Sequence, residues 1–200
     1  MPDTMDECEA VAYREGLAAG LAAALDGLGP PAPPGRIAAL PVGAVAADAQ
    51  TIGNRVAHNA GIAFVRSEPG PGEQAQDDQL LDLAARLGAV RIGVTRQLTD
   101  RAVDYLSNRD SGGERLIRRQ LVIGALADLH ADTEVLREQL KAACGVPVAL
   151  LDAHDRVTAL DWEAVKLLGA SGYIAGGGAD LAHASRLTAN CWLPRGEFRC

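Results

Sequence analysis

The sequence predicts an all-α fold: an antiparallel helical bundle resembling a long-helix domain, preceded by a short irregular N-terminal region. Two apolar stripes at helical spacing predict it, together with the glycine and proline breaks between them. Leu80, Leu83, Leu87, Val90, Val94 and Leu98 step by three and four. Val122, Leu126, Leu129, Thr133, Leu136 and Leu140 repeat the pattern in heptad-like alternation. The two stripes are joined by a short break, Arg109-Asp110-Ser111-Gly112-Gly113, so they bury their apolar faces best against each other.

From the N-terminus, residues 5–28 are rich in Ala and Leu, and Leu17, Leu21, Ala24, Leu25 and Leu28 share one helical face. A Pro/Gly run over 29–35 stops that helix, because proline lacks the amide hydrogen and clashes with the preceding turn. Residues 37–66 are weakly patterned: Leu40 to Val45 and Ile62 to Val65 read equally as short strands or helix pieces. The polar Pro/Gly loop over 67–74 marks the best internal boundary, dividing an N-terminal region, 1–73, from a bundle, 74–200. Long helices are expected over about 77–108 and 114–143, the second closed by Gly145 and Pro147. A third helix is expected to open at Asp161-Trp162-Glu163, whose carboxylates suit a helix start, and a short last one to run from Asp180 to about Asn190.

The chain has 200 residues, 26 acidic against 19 Lys plus Arg, and a net charge of −7. Its size suffices to bury roughly two-thirds of the unfolded surface without a disulfide or metal. Net acidity without a basic cluster argues against a nucleic-acid partner. No apolar run approaches the roughly 20 residues needed to span a bilayer, and the acidic start is unlike a signal peptide, so a cytoplasmic location is expected. Cys8, Cys144, Cys191 and Cys200 are scattered, and no metal site is expected from them. His58, His130, His154 and His183 lie in separate segments and read as surface or capped histidines. Gly176-Gly177-Gly178 reads as a flexible turn, not a dinucleotide loop.

Several motifs occur in one order. Ile92-Gly93 leads to Ala102-Val103-Asp104-Tyr105; then come Arg109, Gly113, Leu116, Gln120 and Leu126-Ala127-Asp128; then Ala164 to Gly169-Ala170-Ser171-Gly172-Tyr173. This succession resembles the C-terminal helical domain of the acyl-CoA dehydrogenase family over roughly residues 80–173, with Gly112 where the family usually has Phe. The resemblance implies FAD bound between subunits of a dimer of dimers. It implies that Arg109 and Gln120 reach a neighbour's cofactor, with Lys166 and Gly169 in the family's second cofactor-binding segment. A guanidinium suits that task because its planar fork matches phosphate oxygens.

The departures bear on catalysis. The family removes a proton next to a thioester carbonyl with a glutamate, while hydride passes to flavin. One family position for that base falls at Leu193, within Trp192-Leu193-Pro194-Arg195, and the other at Leu83. The nearest carboxylates are Asp82 and Glu197, each of which needs a change of register to serve. Lys166 replaces the family glutamine, Ala170 its second glycine, and Pro194-Arg195 its Gly-Thr.

The resemblance therefore implies a reduced subunit that forms a homodimer or a heteromer with a fuller paralogue, on acyl-CoA or a carrier-bound acyl substrate, without its own base. Two other readings stand beside it. One is a flavin-free bundle in which Trp162, Tyr173 and Trp192 line a pocket with Lys166, Asp82, Asp161 or His183. The other is a stand-alone dehydrogenase with a relocated base.

Overall fold

The structure, a computed structural model, describes residues 2–28, 32–67 and 74–193. Glu197, Cys200 and Pro194-Arg195 lie outside them. The architecture is helical, as the apolar stripes require. Residues Pro2–Glu15 form α1, Leu17–Leu25 α2, Gln74–Ser107 α4, Gln120–Ala142 α5, Pro147–Leu167 α6 and Gly178–Trp192 α7. Between α2 and α4 stand β1 (Ile37–Pro41), β2 (Thr51–Ile52), α3 (Arg55–Asn59) and β3 (Ile62–Arg66). The weakly patterned stretch is thus a small antiparallel sheet in the order β1-β3-β2, with Ala39 opposite Phe64 and Ile52 also opposite Phe64.

Four boundaries differ from the expected ones, each for a local reason. The N-terminal helix is two helices, because Gly16 sits at φ 95°, a conformation open chiefly to glycine, and turns the chain back. The second long helix starts at Gln120, not Glu114. A hairpin of β4 (Asp110–Ser111) and β5 (Glu114–Arg115) precedes it, and Gly112 and Gly113, at φ 67° and 84°, make its two-residue turn. Pro147 begins α6 at its first turn, where the missing amide hydrogen costs nothing, so Asp161 lies inside that helix instead of at its start. The third glycine of the 176–178 run is buried as the first residue of α7.

Helix α4 is the axis of the molecule. Its residues 87–95 are all buried, so neighbours surround it on every side. Helix α6 runs parallel to it, since Ala84 meets His154 and Thr95 meets Asp161. Helix α7 runs antiparallel, with Arg91 beside Ser185 and Leu98 beside Gly178. Helix α1 closes on α4 where glycine allows it: a Cβ on Gly93 would lie 2.4 Å from the Glu9 carbonyl oxygen. Glu9, itself 5% exposed, then receives Arg96 at 2.8 Å and Arg137 at 2.7 Å, tying α1 to α4 and α5. The sheet docks through Trp192, whose indole N–H donates to the Ala39 carbonyl at 3.1 Å. Among the described residues no helix is long and apolar enough to cross a membrane, and no group of His, Cys, Asp and Glu is placed to hold a metal ion.

Candidate functional site

One end of the bundle gathers most of the expected cofactor residues. The C-terminus of α4, the N-terminus of α5 and the C-terminus of α6 meet there. Arg109 follows α4 directly and is exposed; its guanidinium lies over the Tyr105 ring, 4.5 Å from the centroid. The Tyr105 hydroxyl in turn lies 3.6 Å from where a Cβ on Gly169 would stand, and Gly169 takes φ 57° at the end of α6. Gln120, also exposed, is the first residue of α5. Among the described residues Arg109 makes no ion pair, and the same stretch carries Arg115, Arg118 and Arg119. Arg115 and Arg119 donate to the carbonyls of Ser107 and Ser111 at 2.9 and 2.6 Å, which orients them without neutralising them.

Lys166 is one turn away on α6 but is committed, its ammonium 2.6 Å from Glu163, and that partner raises its pKa. The aromatic residues divide. Trp162 stacks on Tyr173 at 6.4 Å between ring centroids and meets His183 edge-on at 5.0 Å. Trp192 is not with them; it is buried against the sheet. The pocket expected from three aromatics is therefore a two-ring shelf with Tyr173 more than half exposed.

The two positions at which the resemblance implies a catalytic base are occupied by packing. Leu83 is 0% exposed within the core, and Leu193 is buried as well. Asp82 forms an i,i+4 pair with Arg86 at 2.7 Å. Arg86 also donates to the carbonyls of Ala24 and Asp26, closing the end of α2 over this part of α4. Asp82 thus belongs to a clamp between helices.

A polar cluster that the sequence reading did not assemble lies in the middle of α4. Arg91 is 2% exposed, and its five N–H groups find five acceptors. Nε reaches Ser185 Oγ at 3.3 Å; Nη1 reaches the His154 carbonyl at 2.8 Å and its Nδ1 at 3.2 Å; Nη2 reaches Thr158 Oγ1 at 2.8 Å and Asp161 at 3.5 Å. Because Arg91 can only donate, Nδ1 of His154 accepts, so Nε2 carries the hydrogen and donates to the Ala84 carbonyl at 2.9 Å. Burial, then the Arg91 charge, push the His154 pKa down to about 3. Burial also raises Asp161 to about 6, against the opposing pull of Arg91 and of the Thr95 hydroxyl at 2.6 Å. His154 is therefore an interior histidine, contrary to the surface reading, and Asp161 a counter-ion. A cleft of about 300 Å³ between α6 and α7 opens over this cluster. A signal for Arg91 was present: it stands four residues after Leu87, on the buried stripe.

Residues 72–156 match the model of the acyl-CoA dehydrogenase C-terminal domain. That segment is similar to an acyl-CoA dehydrogenase C-terminal domain. It covers α4, α5 and the first half of α6, so the Arg109 to Gln120 corner lies inside it. Solved structures agree on the fold. FkbI for biosynthesis of the methoxymalonyl extender unit of the Fk520 polyketide is 20% identical with TM-score 0.56, covering 74% of this chain and 48% of its own. Butyryl-CoA dehydrogenase from Megasphaera elsdenii is 21% identical with TM-score 0.51, covering 64% and 39%. Acyl-CoA dehydrogenase from Geobacillus kaustophilus is 15% identical with TM-score 0.57, covering 74% and 47%. The chain thus spans about half the length of these three proteins or less. No curated protein matches it in sequence.

Proposed function

We propose that this chain is a reduced acyl-CoA dehydrogenase-like subunit, acting with a fuller flavin-binding paralogue in α,β-dehydrogenation of acyl thioesters. The division of the chain at 73/74 follows from the same reading, with the family's helices in the second part. One observation carries it: an exposed Arg109, without a carboxylate partner among the described residues, stands on Tyr105 beside the start of α5, while both base positions are filled by buried leucines.

Fit to a flavin dinucleotide is uneven across the chain. The cationic corner suits phosphates, with Arg109 presenting a planar fork and Gln120 an amide donor. The surroundings of Leu83 do not suit a reaction centre, since Leu83 is buried in the core and the adjacent Asp82 is paired with Arg86. FAD, when bound, accepts hydride; proton removal falls to the partner in this reading.

The test is co-expression with the nearest acyl-CoA dehydrogenase paralogue, followed by the visible spectrum of the purified complex. A yellow complex that oxidises an acyl-CoA, and loses flavin when Arg109 becomes Ala, supports the proposal. A colourless chain that never associates overturns it. The filled base positions also favour a second reading, a flavin-free bundle with an auxiliary role or new chemistry near Trp162, Tyr173 and His183. A non-flavin ligand that shifts the fluorescence of Trp162 would select it.

A further inference from the structure

The cleft over the Arg91 cluster is lined by one face of each of two helices. On α6, Leu151, Asp155 and Thr158 follow one another at helical spacing; on α7, Arg186, Asn190 and Leu193 do the same. Helix α6 follows the direction of α4 and α7 opposes it, so Leu151 and Leu193 fall at one end of the cleft. Thr158 and Arg186 fall at the other, about 10 Å along the helices. Asp155 and Asn190 stand between the two ends. A volume of about 300 Å³ is at the small end of the range for ligand sites, and an apolar end with a few placed polar groups is the lining such sites have.

The floor of the cleft has its bonds already made. Each Arg91 donor has an acceptor, and Asp161 matches its charge. The Thr158 hydroxyl accepts from Arg91 and donates to the His154 carbonyl at 3.0 Å. The rim is open. Arg186, Asp155 and Asn190 are exposed and make no hydrogen bond or ion pair among the described residues. Burial holds the Arg91 pKa below its usual value against the pull of Asp161. Of the two rim charges, Arg186 adds to that lowering and Asp155 opposes it, so both stand over the same floor. The cleft therefore offers one free charge of each sign, an amide and an apolar end. A simple anion would satisfy Arg186 and leave Asp155 repelling it; an amine would do the reverse. A ligand with both charges on neighbouring atoms and a short apolar arm satisfies every group in the lining.

We propose that the cleft binds a free α-amino acid with an apolar side chain of about leucine size. Its carboxylate rests on Arg186 and Asn190, its ammonium on Asp155 and its side chain between Leu151 and Leu193. The proposal goes beyond the flavin reading, because it requires neither cofactor nor paralogue. The test is calorimetric titration of the full, flavin-free chain with L-leucine, so its outcome is separate from that of the colour assay. N-acetyl-L-leucine and L-leucinamide serve as ligands that each lack one charge. A single saturable site is expected for L-leucine, with either derivative at least about tenfold weaker. Arg186→Gln and Asp155→Asn, both on exposed side chains, each raise the L-leucine Kd at least about tenfold with an unchanged thermal midpoint. In the wild-type chain the methyl NMR signals of Leu151 and Leu193 shift on binding, and those of the distant, exposed Leu121 do not. Absence of saturable L-leucine binding, a derivative that binds as tightly, variants with unaltered Kd, or Leu151 and Leu193 signals that stay in place each overturns the proposal.

Discussion

Arg91 and Asp161 face each other at 3.5 Å in the interior, 2% and 1% exposed, and join the central helix to α6. A permanent cation in that position is tolerable only because every donor has an acceptor and one acceptor is ionised. The separation is long for a salt bridge, and Thr95 takes the other carboxylate oxygen at 2.6 Å, so the network and not the pair alone carries the charge.

Removing one member should therefore cost more than removing both. Arg91→Met or Asp161→Leu alone is expected to lower unfolding free energy by about 3–5 kcal/mol, because each leaves a buried charge unpaired. The double variant should recover most of that loss. Urea denaturation of the four proteins measures the cycle, and additive losses would contradict it.

Acid should act through His154. Its folded pKa of about 3 lies below the usual 6.5, so the neutral ring's contribution is present above pH 6.5 and lost as pH falls toward 3. Asp161 works in the opposite sense: raised from 3.8 to about 6, it becomes less costly as pH falls through that window. His154→Gln, which preserves one donor and one acceptor, should remove the first dependence and leave the second. Stability of the variant would then rise between pH 6 and 4, where the two opposing dependences leave wild type nearly flat. Nitrogen NMR should show the Nε2–H tautomer of His154 persisting at pH 5.

Gly93 decides how closely α1 approaches. Gly93→Ala puts a methyl group 2.4 Å from the Glu9 carbonyl oxygen, backbone that cannot swing aside. A loss of about 1–3 kcal/mol is expected, with earlier proteolysis in α1 than in α5. Gly124→Ala, in open space, should leave protomer stability unchanged or slightly raised.

Leu83→Glu tests whether the leucine-filled base position implied by the resemblance is a site or a core. The side chain is 0% exposed, so an added carboxylate has neither water nor a cation and should destabilise the fold by several kcal/mol, on the order of 4. A stable variant with a titrating glutamate would show that a cavity exists there after all.

The long helices were legible from the sequence because burial on one face imposes a period, and the stripes 80–98 and 122–140 carry it plainly. The order of motifs from Ile92 to Tyr173 likewise identified the domain, since each motif serves local geometry: Gly113 a turn, Arg109 a helix end. The small sheet was not legible, because Leu40 to Val45 and Ile62 to Val65 are too short to show a period and depend on each other for hydrogen bonds. Asp161 and His154 were misplaced for the same reason. Their partner Arg91 lies 70 and 63 positions away, and burial, tautomer and charge state follow from that meeting alone. The linear chain determined roughly where the two longest helices run and which family's pattern they resemble. Only packing decided that Leu83 is core, that Trp192 leaves the other aromatics, and that Leu121 is left facing outward, since a side chain's surroundings are set by residues distant along the chain.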